Sequence, residues 1–125
     1  MNSMVLTVPA KEEWALVLRM AAAGVSALYD VPVDVLDDLR TAIEESCELL
    51  LHQDYKAESL TLRCEARADG LHVCLAAQER TSQLAEDPAD ADIARLIIQP
   101  LVREVALEKD ESGVHSVHMT LPARG

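Results

Sequence analysis

Between Leu36 and Ala66 the spacing of apolar residues changes from helical to extended, and this change does most to limit the folds open to the chain. Leu36, Leu39, Ile43, Cys47 and Leu50 recur at steps of three or four, which places them in a narrow arc of one helix beginning near Asp34. Beyond it, Leu60, Leu62, Cys64 and Ala66 alternate with Thr61, Arg63, Glu65 and Arg67, the pattern of a strand with one wet face. Asp69-Gly70 then supplies the chemistry of a tight two-residue turn. With those two residues in the turn, Ala66 faces Val73, Cys64 faces Leu75 and Arg67 faces His72, so apolar meets apolar across the hairpin.

The flanking segments complete an order of elements. Met4 to Val8 is β-prone and Pro9 ends it. From Lys11 to about Tyr29 the chain is helix-forming, with Trp14, Leu18, Ala21, Val25 and Leu28 as its apolar face, until Asp30-Val31-Pro32 breaks it. Gln78 to Asp92 is polar, acidic and interrupted by Pro88, so it reads as a loop leading to a helix near Asp90 that carries Ile93, Leu96, Ile97 and Leu101. Pro100 should kink or shorten that helix. Two more strands, about 103–108 and 114–121, are joined by the turn-like Asp110-Glu111-Ser112-Gly113. The order is β-α-α-β-β-α-β-β. Two helices in succession exclude simple β-α-β repetition, so the expected class is α+β: a two-layer sandwich with helices on one face of a mixed or antiparallel sheet. At 125 residues, half of them apolar, the whole of 1–125 fits one domain able to bury a core.

Charge and cysteine usage narrow the functions. The net charge of −11 repels phosphate backbones and anionic membranes and favours basic partners, so direct nucleic-acid binding is not expected. Cys47, Cys64 and Cys74 are odd in number, lack a Cys-x-x-Cys spacing and fall in apolar patterns, which suits reduced, buried thiols in a cytoplasmic protein. The apolar stretch from Met20 to Leu28 is too short to span a bilayer and has Arg19 beside it, and no basic region followed by an apolar run opens the chain.

Three short stretches carry a resemblance: Val8-Pro9-Ala10-Lys11 after the first strand, Ala42-Ile43-Glu44-Glu45-Ser46-Cys47 in the second helix, and Leu101-Val102-Arg103-Glu104-Val105 near the end. Together with the element order, they resemble the bacterial anti-sigma regulatory factors, small serine-protein kinases of the GHKL (histidine-kinase-like ATPase) fold. In that family a Glu-x-x-x-Asn-x-x-x-His pattern on the second helix faces the nucleotide; Glu polarises a water or hydroxyl and Asn holds magnesium. The resemblance places Glu45, Leu49 and Gln53 on those positions. Leu49 cannot ligate a cation that requires oxygen ligands, and Glu45 points away from the apolar arc of its helix, as a solvated glutamate or a retained pocket residue. An Asp-x-Gly pattern, in which Asp receives the adenine amino group, corresponds to Ala77-Gln78-Glu79. Ala77 cannot accept that bond, and Glu79 brings a side chain and a negative charge to a position suited to glycine. The family's glycine-rich start to the third helix, which cradles phosphates, corresponds to Asp92 and Ala94. Asp92 suits the helix terminus as a capping or first-turn acid but competes with phosphate. The four glycines, Gly24, Gly70, Gly113 and Gly125, all lie outside the acidic loop.

Three departures in one direction imply an interaction module: an anti-sigma-like regulatory protein that engages a sigma factor or an antagonist protein, self-associates as a homodimer, and works without ATP, magnesium or another cofactor, Glu45 being vestigial. The alternative is an active ATP-dependent serine-protein kinase with Glu45 as general base; a third is an unrelated α+β domain. The acidic segment 86–92 is the natural recognition loop, or else a solvated linker. Glu44, Glu48 and His52 lie four apart and could approach one ion, but solvated helix charges explain them more simply, so no metal site is expected. Ser46, Ser59 and Ser82 lack a paired His at a motif spacing, and His115 and His118 fall on opposite faces of one strand. Trp14 is expected in the core or at a dimer contact.

Overall fold

The alternation in the second half of the sequence builds a sheet, and the helical stretches cover one side of it. The computed structural model describes residues 3–122. The elements are β1 (Ser3–Pro9), a 3-10 turn Glu12–Trp14, α1 (Ala15–Leu28), α2 (Val33–Leu51), β2 (Tyr55–Arg67), β3 (Gly70–Ser82), α3 (Ala91–Ile98), a 3-10 turn Gln99–Leu101, β4 (Glu104–Asp110) and β5 (Gly113–Leu121). The sheet order is β1-β2-β3-β5-β4, and each neighbouring pair is antiparallel. The class is therefore α+β with a five-stranded antiparallel sheet and three helices, in the expected element order. Among the described residues, no helix is long and apolar enough to cross a membrane.

Side-chain alternation decides which side of the sheet is covered. Leu60, Leu62 and Cys64 of β2, Leu71, Val73 and Leu75 of β3, and Val117, Met119 and Leu121 of β5 are all buried, and they line up across the register. Leu39, Ile43, Cys47 and Leu50 of α2 close over them. Burying these side chains supplies roughly 25 cal/mol for each Å² of apolar surface withdrawn from water. On the opposite side Arg63, His72, Cys74, His118 and Ala106 form a face that no helix covers among the described residues.

Four local expectations are corrected. The hairpin turn is Ala68-Asp69, and Gly70 begins β3 opposite Arg67, so Ala66 meets Leu71 and Cys64 meets Val73. Gly70 is required for a different reason than turning: it has φ +140°, and a Cβ on it would lie 2.3 Å from the Leu121 carbonyl oxygen. The partners move by two residues, an even number, so every side chain keeps its face. Secondly, β3 continues to Ser82, taking in Gln78 to Ser82 that composition assigned to a loop. Thirdly, α1 buries Leu18, Ala22, Ala23 and Ser26, leaving Trp14 and Leu28 outward. Lastly, α3 buries Ala94 and Ile98 and holds Ile93, Leu96 and Ile97 outward. Beside Leu18 and Ile98, the buried residues of these helices are small, and several larger apolar residues remain in water. Pro100 does end α3, within the 3-10 turn that follows.

Candidate functional site

The helix that carries the resemblance delivers its residues to several places. Leu49 is 1 % exposed and belongs to the hydrophobic core. Gln53, just beyond the end of α2, is buried. Its amide nitrogen donates to the carbonyl oxygens of Leu49 (3.0 Å), His52 (3.0 Å) and Ala89 (3.2 Å), and its Oε1 accepts from the Val114 backbone N–H at 2.9 Å. Gly113 makes room for it, since a Cβ there would lie 2.3 Å from that oxygen. Gln53 thus ties the end of α2 to the segment before α3 and to the start of β5.

Its neighbours fasten the same segment. The Ala89 N–H donates to the His52 carbonyl oxygen at 2.8 Å and the Gln83 N–H to that of Asp54 at 3.2 Å. Asp54 Oδ1 accepts from the Ala85 N–H at 3.0 Å. Asp90 caps α3 by accepting from the N–H groups of Asp92 (2.8 Å) and Ile93 (3.2 Å), while Asp92 occupies the first turn. Residues 83–90 therefore lack regular structure yet are held by backbone bonds, which composition alone does not reveal.

The seven family positions do not line one chamber. A cavity of about 480 Å³ is bordered by Ala77, Gln78 and Glu79 together with Tyr55, Arg80 and His115. A second, of about 590 Å³, is bordered by His52, Gln53, Lys56 and residues 83–87. Glu45, Leu49, Asp92 and Ala94 border neither. Glu45 is half-buried on α2, Asp92 is exposed, and Ala94 is in the core. Glu79 has φ +53°, the left-handed conformation that suits glycine, although it carries a side chain.

The first cavity is polar, and Arg80, Asp110 and Tyr55 in its lining are already paired. Arg80 bonds Asp110 at 3.0 Å and lies over the Tyr55 ring, 5.2 Å from its centroid. The Ser112 backbone N–H and then Arg80 hold the Asp110 carboxyl below its usual range. Tyr55 donates to the Val114 carbonyl oxygen at 2.7 Å, and burial raises its hydroxyl pKa.

The expected Glu44-Glu48-His52 stripe is rearranged. Glu44 turns to Arg19 at 3.3 Å, and Glu12, from the 3-10 turn before α1, takes its place beside His52. His52 lies 3.3 Å from Glu48 and 3.4 Å from Glu12, and its Nδ1 is 2.8 Å from the Glu48 carbonyl oxygen. Sequence spacing cannot find Glu12, because it comes from another element. His115 and His118 do part: His115 borders the first cavity beside Ser116, and His118 sits on the uncovered sheet face between Glu108 and Cys74. Cys47 and Cys64 are buried, and burial pushes both thiols up to about 12. Cys74, expected to be buried too, is half-buried on the uncovered face, its thiol pKa also raised by burial.

A solved structure of the RsbU and RsbW domains of Rv1364c from Mycobacterium tuberculosis superposes on this chain with a TM-score of 0.76. The two share a fold. Sequence identity is 14 %, and the alignment covers 98 % of this chain and 33 % of the other, so the chain spans about a third of that protein's length. No protein-family model matches the sequence, and no curated protein does.

Proposed function

We propose that the protein is an anti-sigma-like regulatory module that acts by protein contact, engaging a sigma factor or an antagonist protein, without nucleotide, magnesium or phosphotransfer. The reading is supported most by Leu49. Where the family would hold magnesium, this chain has a side chain locked in the core, and the neighbouring family position, Gln53, is engaged in four hydrogen bonds within the protein. Glu45 then has no cation or phosphate to act upon. The fold shared with the RsbU and RsbW domains of Rv1364c is consistent with such a role. A second copy of the chain is the natural partner for the outer face of α1. From Trp14 to Tyr29 the chain contains no acid, and the Glu44 carboxylate that reaches α1 is paired with Arg19, so two molecules of net charge −11 meet there with little opposed charge.

Two measurements test this. Titration with ATP and magnesium should give no saturable heat; micromolar binding weakened by Glu45→Ala would overturn the proposal in favour of a kinase. Affinity capture from the native cell with mass spectrometry should recover a sigma factor or an antagonist-like protein, and recovery of neither would count against the partner assignment.

A further inference from the structure

We infer that the outer face of α3, with the acidic segment before it, is a docking surface for a basic amphipathic helix of a partner protein. The inference rests on the reading above that the protein works by protein contact, and assigns that contact a place and a chemistry. Ile93, Leu96 and Ile97 are 57 %, 69 % and 41 % exposed. They lie three and four residues apart, so they form one stripe along the helix, the spacing that a partner helix engages. The core is served by the other side of α3, through Ala94 and Ile98, so folding does not account for three large apolar residues facing water.

The charge beside the stripe selects the occupant. Glu86, Asp87, Asp90 and Asp92 are all exposed, and none makes a salt bridge among the described residues. Some acids of the chain do, such as Glu44 with Arg19 and Asp110 with Arg80, and others such as Glu58 and Glu104 do not, so what sets these four apart is their place beside the stripe. Asp90 and Asp92 serve the α3 terminus, but Glu86 and Asp87 have no such duty. The bonds from His52, Gln53 and Asp54 to residues 83–89 hold this charge on an ordered backbone, which limits the ordering a partner must impose. The contrast with α1 sharpens the assignment. The α1 face is also apolar but carries no acid, and a basic helix gains no charge complementarity there.

The test uses a synthetic helical peptide with Leu at steps of three and four on one face and Lys on the other, titrated into isotopically labelled protein. Amide shifts are followed by NMR. The expected result is saturable change centred on residues 86–98, loss of binding as salt is raised, and about tenfold weakening by Ile97→Asp or by Glu86→Gln with Asp87→Asn. Both variants alter exposed residues, and their far-ultraviolet circular dichroism should match the parent. Leu16→Asp on α1 should leave the affinity unchanged. Shifts centred on α1 or on the uncovered sheet face, equal binding of a peptide with Glu in place of Lys, or unchanged affinity in the Ile97→Asp variant would each overturn the assignment. Failure of the capture experiment with success here would overturn the sigma-factor reading alone. A captured partner indifferent to Ile97→Asp would overturn the docking surface alone.

Discussion

At the end of α2 the polar atoms of Gln53 and Asp54 and the backbone oxygen of His52 are engaged by other parts of the same chain, whereas the outer faces of α1 and α3 leave Leu16, Met20, Leu96 and other apolar side chains in water. The first region has little left to gain from a ligand: any group entering it must displace a bond already made, and exchanging one hydrogen bond for another changes little. The second has much to gain, since covering it withdraws apolar surface from water. Free energy of association is available on the helix faces and largely used up in the corner. That asymmetry stands beside the burial of Leu49 as support for the proposal of a protein partner over a small molecule.

The asymmetry is open to attack at the corner. Leu49→Asn, which restores the residue the family resemblance implies, places an amide in a fully packed core, so it should cost about 3 kcal/mol of stability, read by denaturant unfolding, and confer no magnesium-dependent nucleotide binding. A folded Leu49→Asn variant that bound ATP with magnesium would break the comparison outright. Gln53→Ala should cost about 2 kcal/mol, because it orphans buried backbone groups; amide hydrogen exchange should show residues 83–90 losing protection while α1 keeps it.

The core has its own signature at alkaline pH. Cys47 and Cys64 titrate at 9.0 when unfolded and at about 12 when folded, so below 9.0 neither affects the balance. Above it the unfolded chain releases protons that the folded chain retains, and stability falls as pH rises towards 12. One pH unit past the unfolded value, each thiol should remove about 1.4 kcal/mol. Stability should fall more steeply across this range in the parent than in a Cys47→Ala, Cys64→Ala variant, as unfolding curves at successive pH values would show. Glu79→Gly should act in the opposite direction and raise stability by about 1 kcal/mol, since it relieves a left-handed residue. Smallest of all, Met20→Ser on the exposed face of α1 should change folding stability by less than about 0.5 kcal/mol, while concentration-dependent sedimentation should show weaker self-association.

What can be read from the letters follows from the range of the interactions involved. The class, the element order and the covered side of the sheet are legible, because periodicities of three to four and of two are local and repeated many times in α2, β2 and β3. The hairpin partners are not, because Gly70 looks like a turn residue locally, while its real constraint comes from Leu121, distant in sequence. The outward faces of α1 and α3 escape the pattern because hydrophobicity is a poor guide to burial where close packing brings Ala22 and Ala94 inward. The candidate site is legible only as a set of substitutions. That Leu49 is core, that Gln53 binds Ala89 and Val114, and that Glu12 reaches His52 are long-range facts with no periodic trace.

Glu79 shows that backbone conformation and residue identity can part company. Its φ of +53° is a form that a search by amino-acid letters does not register, and the sequence identity to the superposed structure is 14 %. Glu79 lies inside β3, between Gln78 and Arg80, which pair with Ser59 and Ala57 of β2, so the left-handed residue is built into the sheet and not into a turn. Holding a charged side chain in that conformation is a standing cost that the ladder on either side of it must carry.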